Sequence, residues 1–128
     1  MIIDDLMQEI NETVANMFTK GSHHRYISVV FLAQNLFPKN KFARTMSLNT
    51  HYMVLFKNPR DVSQFANLAS SPDRCIQTSQ FAVEAYRDAT REPYSYLLVD
   101  LRPEQDEELR LRTNIFPGET HYVYVPRV

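Results

Sequence analysis

The run YISVVFLAQN, residues 26–35, constrains this chain more than any other stretch. From Ile27 to Ala33 it is apolar and rich in Val, Ile and Phe, broken only by Ser28, and it ends in two amides, Gln34 and Asn35. A short apolar run without clean alternation predicts a strand covered on both faces, as in a parallel sheet flanked by helices. In such sheets chemistry gathers at the carboxyl ends of the strands, where Gln34 and Asn35 fall.

The flanking sequence predicts strands interleaved with helices. Residues 1–5 (MIIDD) read as a buried strand ending in acids, and residues 6–18 place Leu6, Ile10, Val14, Met17 and Phe18 on one helical face. Lys20 and Gly21 end that helix with a base in the last turn and a glycine beyond it. Residues 36–49, with Pro38 and Asn40, read mostly as loop with a short helical turn over 42–48. Residues 52–56 predict a second buried strand, stopped by Pro59, after which Asp61 can cap a helix over 62–68 with Phe65, Leu68 and Ala69 inward. A longer helix over 76–90 puts Phe81, Val83, Ala85, Tyr86 and Ala89 in the core. Residues 96–101 predict a third strand, followed by an acidic loop or turn over 103–108. The Leu-Arg alternation of 109–115 predicts a strand with one wet face. Pro117-Gly118 turns it into 120–125, its hairpin partner. The sum is an α/β fold with a mainly parallel core sheet and a C-terminal β-hairpin, forming a single domain over 1–128.

Composition narrows the setting. With 128 residues, 44% apolar and 23% charged, the chain can bury a core without disulfides or metal. Two glycines leave little material for a phosphate-binding loop, and the lone Cys75 rules out an internal disulfide framework. No run approaches the ~20 apolar residues of a membrane span, and Asp4 and Asp5 interrupt any secretion signal at once. The expectation is an intracellular protein, of cytoplasm or nucleus, with no membrane partner.

The net charge of −1 hides an asymmetry. Residues 1–19 carry four acids and no Lys or Arg, whereas residues 20–60 carry seven bases and no acid. So pure a basic stretch points to a phosphate-rich partner, nucleotide or nucleic acid; the alternative is a solvated face answered by acids elsewhere in the fold. Tyr26, Phe42, Tyr52 and Tyr94 interleave with bases and can stack on nucleic-acid bases, although packing accounts for them as well.

Apolar strand residues followed by Asp4 and Asp5 have the form of a Walker B element, in which one acid holds Mg²⁺ and the next orients the attacking water. The same pattern also fits a buried strand whose acids cap the next helix. A strand ending in two acids, then a helix, then a strand ending in Gln34 is the right-handed unit that sets both tips side by side. A neutral amide there can hold the water without altering the charge of the site. Asp100, at a third predicted strand tip, allows a small α/β enzyme of another kind, but no nucleophile–base pairing accompanies it. His23, His24, His51 and His121 lack the carboxylate or cysteine spacing of a metal site.

The segments FTKGSHHR, the Gln34 strand, RTMSLNTHY, FKNPRD and LRTNIFP, in that order, resemble the carboxyl half of the packaging-type ATPase of Polinton (Maverick) elements and related DNA viruses, in the FtsK–HerA superfamily. AYRDATREPYSYLLVDL and LRTNIFPGETHYVYVP extend the resemblance over nearly the whole chain. It implies a partial P-loop NTPase sheet of RecA-like type. It also implies Walker B roles for Asp4, on the metal, and Asp5, and a strand-tip sensor role for Gln34. Asp5 departs mildly from relatives that carry Glu there. By position, Arg44 is the candidate arginine finger and Arg60 the runner-up. Lys39, Lys41 and Arg60 are candidates for contacting DNA. The implied activity is ATP hydrolysis with Mg²⁺ in a ring that moves double-stranded DNA into a capsid.

One departure dominates. The family's G-x-x-x-x-G-K-[ST] loop precedes Walker B, and residues 1–128 do not contain it. The sequence reads as Walker B onward, a truncated or decayed copy beginning at an internal methionine, and is expected to be inactive as this chain. ATP and Mg²⁺ then belong to a full-length context. The alternative is a non-catalytic DNA- or protein-binding module that uses the basic residues 20–60.

Overall fold

A computed structural model describes residues 1–4, 11–21, 26–34, 36, 41–71 and 78–127. They form two compact units, Met1–Thr50 and His51–Val128, of mixed α/β structure.

In the first unit, β1 (Ile2–Asp4) and β2 (Val30–Leu32) pair in parallel, with Ile2 opposite Val30, Ile3 opposite Phe31 and Asp4 opposite Leu32. Between them lie α1 (Glu12–Asn16) and a π-helical turn, Met17–Gly21. The described helix is capped by Asn11, whose Oδ1 accepts Val14 N–H at 3.2 Å. Asp4 is the last residue of a strand and caps nothing in α1. The helical stretch ends at Gly21, as predicted from Lys20-Gly21; residues 6–10 of the predicted helix lie outside the described residues. Residues 41–48, read mostly as loop with a short turn, form a full helix, α2 (Lys41–Leu48), because Met46 has a core to enter. Met46, Ile3, Val14 and Ala15 are buried together, with Phe31, Phe18 and Phe42 against them.

The strand over 26–35 departs from its expectation. Its regular part is three residues long; Val30 and Leu32 are nearly half exposed, and of these three only Phe31 turns toward the core, joined by Val29 just before the strand. Ile2 is likewise exposed beside the buried Ile3. A strand buries both faces only when layers cover both, and in this unit one face meets α1 and α2. Tyr26 stands fully exposed with a left-handed backbone, φ 51°.

In the second unit, β3 (Tyr52–Phe56), β4 (Tyr96–Asp100), β5 (Leu111–Thr113) and β6 (Tyr122–Val123) form one sheet in that order, every pair antiparallel. The expected mainly parallel core is therefore corrected: among the described residues, only β1 and β2 run parallel. The reason is a count of crossings. One helix returns the chain to the edge where the first strand began and makes the next strand parallel. Two helices, α3 (Val62–Ala69) and α4 (Ser79–Ala89), separate β3 from β4 and leave the chain at the end it started from, so β4 runs back. The C-terminal hairpin forms as expected, turning at Gly118 with φ 87°.

Strand β4 is buried along its whole length, with Leu97 and Val99 fully enclosed. Phe65, Leu68 and Ala69 of α3 face inward as predicted, as do Ala85, Tyr86 and Ala89 of α4, whereas Phe81 and Val83, also expected in the core, are only partly buried and Ala82 is enclosed instead. Tyr86 fastens α4 to the end of β3: its hydroxyl donates to Phe56 O at 2.8 Å and accepts Asn58 N–H at 2.9 Å. Burial, then, raises its pKa, although a backbone hydrogen bond at Asn58 opposes the rise. Asp61 occupies the N-cap position of α3, but its carboxylate accepts Asn58 Nδ2 at 2.9 Å instead of an α3 amide. Among the described residues no helix is long and apolar enough to cross a membrane.

Candidate active site at the carboxyl ends of the parallel strands

Parallel pairing makes the register of β1 and β2 decisive. Because Asp4 lies opposite Leu32, Asp4 and Gln34, two residues past Leu32, leave the sheet at the same end. Slipping the register would separate the tips; reversing one strand would put them at opposite ends. Ile3 and Phe31 are the pair that holds it, since both enter the core from the middle of their strands. The sequence reading that set an acid-tipped strand beside an amide-tipped one is thus realised in the first unit. Asp4 and Gln34 are both exposed, so a polar ligand has access to them.

The remaining site residues are distributed differently. Arg44 is exposed on α2, in the same unit as Asp4 and Gln34. Lys41 opens that helix. Arg60 is exposed after β3 and belongs to the second unit, with its amide donating to Asn58 Oδ1 at 3.1 Å. Asp5, Lys39, His23, His24 and Cys75 lie outside the described residues. No cluster of three or more His, Cys, Asp or Glu with metal-binding geometry occurs among the described residues. Asp4 supplies a hard oxygen donor of the kind Mg²⁺ takes, usually alongside waters and phosphate oxygens. It is the donor type that the metal side of a nucleotide site takes, whereas residues 1–128 contain no G-x-x-x-x-G-K-[ST] sequence to hold the phosphates.

The third strand-tip acid, Asp100, proves to be something else. It is fully buried and fully engaged. Arg102 binds it through both Nε (3.0 Å) and Nη2 (2.8 Å) and again through its backbone N–H (3.2 Å). Gln105 Nε2 at 2.8 Å and Arg112 Nη2 at 2.7 Å complete the shell. Burial alone pushes this carboxyl up, but the Arg102 and Gln105 hydrogen bonds and the Arg102 charge outweigh it and bring the pKa down to about 2. The same contacts raise Arg102 above its ordinary value. The Arg102 guanidinium also lies over the Tyr52 ring, 5.1 Å from its centre.

Arg110 and Arg112, expected on the wet face of their strand, both turn inward, and Arg112 alone of the two reaches the Asp100 carboxylate. Arg110 is buried, its Nη1 bonded to the carbonyls of Asp100 and Arg102 and its other nitrogens to Glu107. Alternation alone could not place them. It reports which residues share a face, and the partners on β4, the Asp100 carbonyl for Arg110 and the Asp100 carboxylate for Arg112, lie 10 and 12 residues earlier in the chain. The usable signal was an acid-tipped apolar strand followed closely by paired arginines in a β pattern. With every carboxylate oxygen occupied, Asp100 is not placed to serve as a base or metal ligand.

No protein-family model matches this sequence, and comparison with curated proteins and with solved structures gave no match.

Proposed function

We propose that this chain is the metal-and-sensor part of a DNA-translocating, packaging-type ATPase with a P-loop NTPase sheet. The observation that supports this reading best is the parallel β1–β2 register, which brings Asp4 and Gln34 to the same strand ends. In that role Asp4 would hold Mg²⁺, which supplies charge neutralisation on the nucleotide phosphates, and Asp5 and Gln34 would orient the attacking water. Arg44 would reach the nucleotide of a neighbouring subunit in a homo-oligomeric ring, acting within the cytoplasm or nucleus on double-stranded DNA. Lacking G-x-x-x-x-G-K-[ST], the 128-residue chain by itself hydrolyses ATP negligibly.

Two assays test this. Mg²⁺-dependent turnover by the purified chain, abolished by Asp4→Asn, would overturn the inactivity. The wider reading expects an upstream reading frame in the source genome that encodes G-x-x-x-x-G-K-[ST]. The protein made from both parts should show DNA-stimulated hydrolysis that Asp4→Asn and Gln34→Ala each remove; intact turnover in both variants would sink the assignment.

A second reading rests on exposure. Lys20 and Arg44 in the first unit and Lys57 and Arg60 in the second are all solvent-facing, with no acid between residues 20 and 60. On that reading the chain is a non-catalytic DNA- or protein-binding module. Duplex DNA should then bind with an affinity that falls steeply as salt rises, and weak binding insensitive to salt would rule the module out.

A further inference from the structure

Strand β3 is the edge of the four-stranded sheet, and its hydrogen-bonding direction follows from its register. Leu101 N–H donates to His51 O at 2.8 Å, and these two residues lie directly opposite when Tyr52 faces Asp100. In an antiparallel ladder hydrogen-bonded pairs alternate, so His51, Met53 and Leu55 turn their backbone groups to β4, while Tyr52, Val54 and Phe56 turn theirs outward. The other side of β4 agrees, since Asp100 N–H donates to Arg110 O at 2.8 Å and so points at β5. Tyr86 takes one lone pair of Phe56 O and marks the end of the open edge. The same three residues carry exposed apolar side chains: Tyr52 at 47%, Val54 at 49% and Phe56 at 58%. Charge, proline or a bulge normally blunts such an edge. Within β3 there is none, and Lys57 and Pro59 come only after it.

We propose that β3 is a self-association surface and that its occupant is a second copy of β3, paired antiparallel about a two-fold axis at Val54. Two features select this partner. The strand, Tyr-Met-Val-Leu-Phe, has the same character read in either direction, so the axis sets Val54 against Val54 and Tyr52 against Phe56 of the second copy twice over. Cross-strand aromatic pairs of this kind stabilise sheets. Charge selects the direction. A parallel pair would bring the two Lys57 side chains, and then the two Arg60 side chains, alongside one another. The antiparallel pair separates the Lys57 residues by about 20 Å, well beyond the screening length at physiological salt. The result is an isologous eight-stranded sheet. This inference does not depend on the nucleotide reading, and a two-fold contact is distinct from the head-to-tail contacts of a ring.

Sedimentation velocity of the full 128-residue chain, from micromolar to millimolar concentration, tests the proposal together with amide exchange at Tyr52 and Val54. A concentration-dependent dimer is expected, with both amides protected only as it forms. Val54→Lys puts like charges opposite each other at the axis and should weaken the dimer by at least about tenfold, whereas Val54→Ile should retain it. Val54 is half exposed, and circular dichroism at low concentration will show that both variants keep the fold. A chain that stays monomeric at millimolar concentration overturns the proposal. So does a dimer indifferent to Val54→Lys, or protection of Tyr52 and Val54 that does not vary with concentration, which would mean cover from within a single chain.

Discussion

The two units make opposite use of their strands. In the first, β1 and β2 are three residues each, alternate residues stay exposed, and the buried apolar side chains among the described residues are Ile3, Val14, Ala15 and Met46. In the second, β4 is enclosed throughout, α4 packs on the sheet with α3 against it, and a buried carboxylate with its arginines closes one end. The residues with candidate chemistry, Asp4, Gln34 and Arg44, belong to the first unit. The strongest packing and the most perturbed acid belong to the second. Exposed polar tips on a lightly packed pair suit ligand access and movement, while a fully satisfied ion cluster suits rigidity.

The largest test of that contrast is Asp100→Asn, which leaves Arg102 and Arg112 without their counter-charge. Loss of about 3 kcal/mol in urea unfolding is expected; a loss below about 1 kcal/mol would make the cluster ornamental. Leu97→Ala, in the middle of β4 and fully buried, should cost nearly as much, about 3 kcal/mol. Amide exchange sharpens the same point: amides of β4 should exchange only on global unfolding, and those of β1 and β2 much sooner. Equal protection in both regions would erase the comparison.

Acid provides the next test. The Asp100 carboxyl ionises at about 2 in the folded chain against 3.8 ordinarily. Its contribution, about 2 kcal/mol, is therefore complete above about pH 4 and lost as the pH falls toward 2. Asp100→Asn should remove that part of the acid sensitivity, measured as unfolding free energy against pH. Tyr86→Phe deletes the hydroxyl that joins α4 to Phe56 and Asn58 and should cost about 1 kcal/mol. Asp4→Asn and Arg44→Ala, both exposed, should shift stability by less than about 0.5 kcal/mol. A large destabilisation by either would give that residue a structural part and weaken its candidacy for the site.

Much of the second unit was legible in the chain because local rules govern it. The inward faces of α3 and α4 follow from helical spacing, and the Gly118 turn from Pro117-Gly118. The geometry of the candidate site was legible in part: that Asp4 and Gln34 leave the sheet at one end follows from strand order and direction, which a single helical crossover dictates. What misled was the apolarity of residues 26–35, read as two-sided burial. Apolar composition states what a strand tolerates, and only its neighbours decide what it receives.

The sequence by itself determined the local elements, the acid and amide at the ends of β1 and β2, and the basic character of residues 20–60. These rest on side-chain period, turn chemistry and charge, all carried by residues close together in the chain. Tertiary structure alone decided that β3, β4 and β5 run antiparallel, that Asp100 is an occupied hub, that Arg110 and Arg112 turn inward, and that no described strand pairs with the outer edge of β3. Each depends on which distant segment arrives alongside, and pairing across tens of residues leaves no periodic mark on the chain.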